Sequence, residues 1–234
     1  MFRPRALPAV LAALLAVLLA CTPAANPPGA EPHSPSRSAT ERPPPDRSPS
    51  PAPKPPSGPR EARLTISAIG VRDLRVVPYR GTTDDRAGTR IQNRGVAASP
   101  YGPRGGVGPG DVGNYLITAH RLSAGGPLRD LPDLAPGAEV LITAGRTVYA
   151  YEITATRRTS FRSPASLAGQ RAAVPGAPGR TATRPMITLS TCLTPEDNAA
   201  GNFWRDANGN PEHRVDKIGV LTGVRGLRQP GDAP

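Results

Sequence analysis

From residue 64 onward the chain consists of short apolar or alternating runs separated by Gly, Pro and Asp, and this pattern constrains its fold most strongly. Runs of this length with turn residues between them are typical of strands rather than helices. The candidate strands are residues 64–69, 74–77, 115–119, 138–143, 147–156, 186–191 and 215–224. A tight turn at Ala144-Gly145 joins the fourth to the fifth, because Gly tolerates the positive φ of primed turns. Together with short helical segments at residues 127–134 and 164–170, these strands predict an all-β barrel or sandwich.

The region before residue 64 has a different composition. The whole chain contains 31 prolines and 25 glycines and only 37% hydrophobic residues, which is too little apolar material for a chain folded throughout. Residues 22–63 are rich in Pro, Ala, Ser and Arg and lack an apolar period. We expect them to form a disordered, polyproline-rich spacer before a single domain at residues 64–229. The alternative is a low-complexity tail without function.

The first residues indicate export. Arg3 and Arg5 precede an apolar run at residues 6–20, which is the layout of a secretory signal. This run is shorter than the roughly 20 residues that cross a bilayer. It ends in Leu18-Leu19-Ala20-Cys21, which resembles the lipobox of bacterial lipoproteins, where the cysteine is diacylated. Residues 1–21 are therefore a lipoprotein signal, a membrane anchor or an ordinary signal peptide, and the first two keep the domain tethered to the outer face of the membrane.

Charge and cysteine content exclude several classes of protein. The net charge of +11 would attract polyanions whatever the fold. Nucleic acid is disfavoured because the chain is exported and its one Trp, five Tyr and three Phe are too few for a stacking platform. Two cysteines and three histidines also exclude a disulfide framework and a structural zinc site.

Three side chains at strand ends are the candidates for chemistry. Cys192 ends the sixth candidate strand, where a thiol can face a cleft and act as a nucleophile. His120 follows the third strand and is a better partner than His213, whose loop setting indicates a solvent-exposed side chain. Arg214 opens the last strand, and its fork of donors can hold a peptide carbonyl or an oxyanion. Taken singly, each also has an ordinary structural interpretation, as core filling or as a solvated charge.

Taken together, these motifs resemble those of a sortase. Thr-Ala-His-Arg stands at residues 118–121, Thr-Leu-Ser-Thr-Cys at residues 188–192, and Arg214 follows in the same order. The resemblance covers residues 64–225. It implies an eight-stranded sortase-type β-barrel in which His120, Cys192 and Arg214 are the catalytic residues.

The resemblance also suggests substrate-binding residues. Thr191 matches a family position that helps to shape the substrate groove. The loop at residues 193–213 is longer than in compact sortases, and its Trp204 either lines the groove or covers the end of the barrel, as does Phe203. Arg205 in the same loop is the reserve candidate for the role of Arg214. The long loop, the arginine-rich composition and the spacer are similar to actinobacterial sortases of classes E and F, with F slightly preferred.

A sortase is a cysteine transpeptidase, so the resemblance implies both substrates. A secreted protein with a carboxy-terminal Leu-Pro-X-Thr-Gly-like motif would be cleaved between Thr and Gly. The Thr carbonyl would then pass, through a thioester on Cys192, to an amine of a peptidoglycan precursor or a pilin. This chemistry needs no cofactor. Some sortases use calcium, but the acids here, such as Asp84, Asp85 and Asp111, are scattered, so we predict no metal and a monomeric enzyme.

Two other functions compete with this interpretation. An L,D-transpeptidase is also a β-rich cysteine enzyme of the cell wall, but its Ser-x-Gly-Cys signature is absent, because Thr191 precedes Cys192. The alternative outside enzymes is a lipid-anchored basic β-domain that binds anionic wall polymers, with Cys192 merely structural.

Overall fold

The computed structural model describes residues 58–227, which form an eight-stranded closed β-barrel and confirm the predicted fold class. The strands are β1 (Ala62–Ile66), β2 (Val71–Arg80), β3 (Ala97–Tyr101), β4 (Gly113–Thr118), β5 (Glu139–Ala144), β6 (Thr147–Ser160), β7 (Pro185–Cys192) and β8 (His213–Gly226). Their order around the barrel is β1-β2-β3-β4-β7-β8-β6-β5. The signal at residues 1–21 and most of the spacer at residues 22–63 lie outside the described residues.

The barrel interior is filled by the alternate side chains of its strands. On β5 and β6 the buried residues Val140, Ile142, Tyr149 and Tyr151 point inward, and more exposed residues alternate with Val140 and Ile142 along β5. This alternation follows from the two-residue period of a strand, which places successive side chains on opposite faces. Within residues 58–227 no helix has the length and apolarity that a membrane crossing requires.

Three short α-helices lie outside the barrel: α1 (Arg86–Gln92), α2 (Pro164–Arg171) and α3 (Thr194–Ala199). Helix α2 lies where the sequence predicted a helical segment, and the other predicted segment, residues 127–134, contains one 3₁₀ turn at Leu131–Asp133. The first strand, β1, begins two residues before residue 64, and β3 and α1 fill a stretch for which the sequence predicted no element.

The β5–β6 turn differs by one residue from the sequence-based prediction. Ala144 pairs with Thr147, so the two turn residues are Gly145 and Arg146 rather than Ala144 and Gly145. Gly145 has a φ of 58°, which is the left-handed conformation that glycine adopts without strain.

The topology brings the ends of three strands to one rim of the barrel. Strands β4 and β7 are parallel neighbours, with Thr118 beside Ser190, so their carboxyl ends coincide. Strand β8 runs antiparallel to β7 and starts where β7 ends. His120, Cys192 and Arg214 therefore lie at this rim, which we call the candidate-site rim.

Candidate active site

A cavity of about 360 Å³ opens at the candidate-site rim, and both Cys192 and His120 line it. Its walls come from α1 and the residue after it, from the loop that follows β4, and from the long β7–β8 loop. The lining residues are Thr89, Asn93, His120, Arg121, Leu122, Ser123, Cys192, Thr194, Arg205, Asn208, Gly209, Asn210 and Pro211. The cavity therefore presents the predicted nucleophile and the predicted acid–base residue on a shared surface.

Thr191 lies beside the nucleophile but is not on the cavity wall. Its side chain is buried, and its hydroxyl donates a hydrogen bond to the backbone carbonyl of Ala119 across 2.8 Å. Because Ala119 and Thr191 each precede a candidate catalytic residue, this bond fixes the spacing between the His120 and Cys192 backbones. Its contribution to a substrate groove would be indirect.

Arg214 is completely buried, yet it pairs with Cys192 in the β7–β8 ladder. Directly paired residues of an antiparallel ladder project their side chains from the same face, so the guanidinium and the thiol share one side of the sheet. Nη1 of Arg214 donates to the carbonyl of Pro211 at 3.3 Å, and the guanidinium carbon of Arg214 lies 4.2 Å from the centre of the Phe161 ring. Within residues 58–227, Nη2 has no hydrogen-bond partner, which leaves one buried donor free.

The charge of Arg214 is balanced by Asp84, a buried residue that precedes α1. Nε of Arg214 donates to Oδ2 of Asp84 across 2.8 Å. Burial opposes the charged guanidinium, but the neighbouring Asp84 and Cys192 raise the pKa of Arg214 above its ordinary value. Sequence reasoning named Asp84 only as one scattered acid, because nothing local connects it with an arginine 130 positions later.

His120 is half-buried and oriented by Asn93, which follows α1. Nε2 of His120 lies 2.7 Å from Oδ1 of Asn93. An amide oxygen only accepts hydrogen bonds, so Nε2 carries the proton and Nδ1 is the basic nitrogen of the neutral ring. Asn93 was also missed by sequence analysis, since α1 was not predicted.

The surroundings of Cys192 and His120 favour the uncharged forms of both side chains. Burial raises the pKa of the Cys192 thiol, with Arg214 partly opposing that shift and Asp84 adding to it. Burial also lowers the pKa of His120, an effect that Asp84 opposes and Arg214 reinforces. At neutral pH the thiol and the imidazole are therefore mostly uncharged, and the thiolate–imidazolium form is a minor species.

Of the three candidate residues in the β7–β8 loop, Phe203, Trp204 and Arg205, only Arg205 lines the cavity. Phe203 is 70% exposed, and neither it nor Trp204 lines the cavity. Trp204 instead lies under the guanidinium of Arg162, at 5.9 Å from the ring centre. Arg205 lines the cavity, whereas the buried Arg214 is not among the lining residues.

His213 is not the solvent-exposed side chain that its sequence context indicated. It is the first residue of β8, only 20% of its side chain is exposed, and its Nδ1 lies 2.7 Å from the buried Asp197. Its side chain is thus occupied by a hydrogen bond that attaches α3 to the start of β8, and it does not line the cavity.

The acids considered for calcium have other partners. Asp84 pairs with Arg214, Asp85 caps α1 through the backbone amide of Gly88, and Asp111 accepts hydrogen bonds from the amides of Gly58 and Gly108. Among residues 58–227, no group of three or more His, Cys, Asp or Glu side chains is placed to hold a metal ion.

Comparisons with known proteins agree with this fold. SrtA sortase from Actinomyces oris is 17% identical over 77% of this chain and 94% of its own, with a TM-score of 0.56. Sortase E from Streptomyces avermitilis is 22% identical over 74% of this chain and 93% of its own, with a TM-score of 0.52. SrtF sortase from Corynebacterium diphtheriae is 16% identical over 80% of this chain and 96% of its own, with a TM-score of 0.51. These similarities leave the choice between classes E and F open.

A family model is the more direct finding. A comparison with curated proteins gives no match. The sequence model of the sortase domain, however, matches residues 64–205, which is more than half of the chain and includes His120 and Cys192 but stops before Arg214. The chain therefore belongs to the sortase family of cysteine transpeptidases.

Proposed function

We propose that this sortase cleaves a Leu-Pro-X-Thr-Gly-like motif between Thr and Gly and transfers the Thr carbonyl to an amine through a thioester on Cys192. The observation that carries the proposal is that the thiol and the imidazole line one cavity while a guanidinium with a free donor projects from the same sheet face as the thiol. A nucleophile, an acid–base group and an oxyanion donor are the three parts that acyl transfer requires.

The first half-reaction would form the thioester. The Cys192 thiolate attacks the Thr carbonyl carbon, and Nη2 of Arg214 donates to the resulting oxyanion. Imidazolium His120 gives the proton on Nδ1 to the Gly nitrogen as the C–N bond breaks, so the Gly peptide leaves as a neutral amine. Asn93 keeps Nε2 occupied throughout, which holds the ring in the orientation that serves Nδ1.

The second half-reaction would release the product. An acceptor amine attacks the thioester carbonyl, neutral His120 removes the amine proton, and the C–S bond breaks to regenerate the thiolate. An amine of a peptidoglycan precursor or a pilin lysine fits this step. Water in place of the amine gives slow hydrolysis.

Because sortases act at the cell surface, we propose that residues 1–63 export and tether the catalytic domain at residues 64–229. Diacylation at Cys21 would anchor the chain to the outer face of the membrane, and an extended spacer of about 40 residues would reach on the order of 100 Å at about 3.1 Å per residue.

The experiment that tests this function is a transfer assay. The purified full-length chain is incubated with Leu-Pro-X-Thr-Gly and Leu-Ala-X-Thr-Gly peptides, with and without a diaminopimelate-containing or oligoglycine amine. Amine-dependent ligation of the peptide up to Thr, absent from the Cys192→Ala variant, supports the proposal. Cleavage by the Cys192→Ala variant, or cleavage at a site other than Thr-Gly, would overturn it.

A further inference from the structure

Asp84 occupies an unusual place in this fold. It lies in the β2–α1 connection, is only 5% exposed, and has a left-handed backbone with a φ of 54°. Its carbonyl oxygen accepts a hydrogen bond from Nδ2 of Asn210, in the β7–β8 loop that covers the cavity. Backbone strain and a buried carboxylate both cost free energy, and they persist where the surrounding structure requires them.

Both carboxylate oxygens of Asp84 are used. Oδ2 accepts from Nε of Arg214 at 2.8 Å, and Oδ1 accepts from Nε2 of the buried Gln92 at 2.6 Å. The same Gln92 nitrogen donates to the hydroxyl of Thr118 at 3.1 Å, which is the last residue of β4. A hydrogen-bonded chain therefore connects the strand that leads to His120 with the guanidinium of Arg214.

We infer that Asp84 is the positioning residue of this sortase: it holds the guanidinium of Arg214 by its Nε edge, so that the free Nη2 is directed at the oxyanion of the reacting carbonyl. This inference rests on the proposed function of Arg214. Three of the contacts of the guanidinium, to Asp84, Pro211 and Phe161, leave Nη2 as its single unpaired nitrogen within residues 58–227.

A carboxylate suits this position better than a neutral acceptor. A buried guanidinium without a counter-charge is unfavourable, and the pair with Asp84 compensates for its burial. The fixed pair also moderates the field at the thiol, because Asp84 raises the pKa of Cys192 whereas Arg214 lowers it. Asp84 thereby sets the direction of the Arg214 donor and reduces the effect of the Arg214 charge on the pKa of Cys192.

The test compares Asp84→Asn with Asp85→Asn in the full-length chain. The two variants lose the same charge one residue apart, but Asp85 caps α1 and makes no hydrogen bond to Arg214. Because Asn also caps helices well, Asp85→Asn should keep near-normal kinetics. Asp84→Asn should reduce kcat for peptide cleavage by about 10- to 100-fold with KM changed by less than about threefold, because a transition-state donor is displaced.

A double-mutant cycle separates positioning from a purely structural role. In an Arg214→Gln background, Asp84→Asn should reduce the acylation rate by less than about threefold, because the residue through which it acts is already gone. Removing both charges also avoids an unpaired buried ion, so this variant keeps its fold. An equal loss in both backgrounds, or wild-type kcat for Asp84→Asn, would overturn the inference.

The pH dependence of Cys192 alkylation gives a readout that needs no peptide. Asp84→Asn should shift the midpoint to lower pH, and Asp85→Asn should leave it in place. If the wild-type chain cleaves neither peptide, the proposed substrate is wrong, and an unchanged alkylation midpoint in Asp84→Asn would then reject the role of Asp84 separately.

Discussion

Cys192 and Arg214 are paired directly across β7 and β8, the last residue of one strand opposite the second residue of the other. This register, rather than a contact between loops, fixes the guanidinium on the thiol's side of the sheet. Strands of a closed barrel do not slip without moving every side chain to the opposite face. The relative position of Cys192 and Arg214 is therefore determined by the barrel itself.

Replacing Arg214 tests its assignment as the oxyanion donor. Arg214→Gln should reduce kcat by about 10²- to 10³-fold, the usual loss when one such donor is removed. Arg214→Lys should also be impaired, because an ammonium cannot present the same fork of donors. Steady-state kinetics of both variants, with circular dichroism to verify folding, provide the measurement. Arg205→Gln is the matched control, and a larger loss there would transfer the role to Arg205.

The alkylation of Cys192 should depend on pH in a defined direction. Burial raises the pKa of the thiol, so the rate of iodoacetamide modification should increase through a midpoint above the ordinary cysteine value of about 8.5. Arg214→Gln should move this midpoint higher still, because the positive charge that favours the thiolate is lost. Mass-spectrometric rates between pH 6 and pH 11 would measure both midpoints. A wild-type midpoint near pH 7 would contradict the neutral resting pair.

Asn93 should affect the rate through the orientation of His120. Asn93→Ala removes the acceptor on Nε2 and should decrease kcat by about 10-fold, because the imidazole then samples other orientations. Asn93→Asp retains an acceptor and adds a negative charge, so it should raise the pKa of His120 and recover part of the activity. NMR titration of His120 together with kinetics checks both effects. Equal activity of the Ala and Asp variants would show that the contact does not orient the ring.

The strand pattern predicted a barrel or a sandwich, because strands with a two-residue period and glycine-rich turns leave a local signal, and the resemblance to sortases specified the eight-stranded barrel. His120, Cys192 and Arg214 were predicted from their strand-end positions together with the resemblance to sortases, and the fold brings these three strand ends to one rim. Asp84 and Asn93 were not, because their roles depend on pairs brought together by the fold, and the seven-residue α1 between them has little apolar periodicity. For Trp204 the sequence suggested a contact that the fold does not make. As an aromatic residue in a long loop it was a candidate for the substrate groove, but its ring packs against Arg162.

Asp197 should contribute to stability rather than chemistry. It accepts hydrogen bonds from the backbone amide of His213 and from Arg158, and it is fully buried. Asp197→Ala would leave the backbone amide of His213 without its acceptor, whereas the half-exposed Arg158 could turn to water, so unfolding should require about 1–3 kcal/mol less free energy. The matched control, Glu196→Ala, removes an ion pair with Arg121 whose carboxylate is 44% exposed and so within reach of water, and it should cost less than about 1 kcal/mol. Urea unfolding compares the two variants.

The effect of Asp197 should vary with pH in a predictable way. Burial opposes its ionisation, but the hydrogen bonds from His213 and the charge of Arg158 lower its pKa overall. A carboxylate with a depressed folded-state pKa contributes stability above its unfolded pKa of about 3.9 and loses it as the pH falls through the folded value. The difference between wild type and Asp197→Asn should therefore shrink below about pH 4. A difference that grows on acidification would be inconsistent with the ion pair.

Intact-mass spectrometry is the most direct test of thioester chemistry on Cys192. The full-length chain is incubated with a Leu-Pro-X-Thr-Gly peptide in the absence of an amine, quenched in acid and measured beside the Cys192→Ala variant. We expect a mass increase equal to the peptide up to Thr, removed by hydroxylamine and absent from the variant. One result would contradict a covalent role for Cys192: the wild type cleaves the peptide, but no adduct appears even on rapid quenching. Alkylation of the thiol in the same sample would show that Cys192 was accessible.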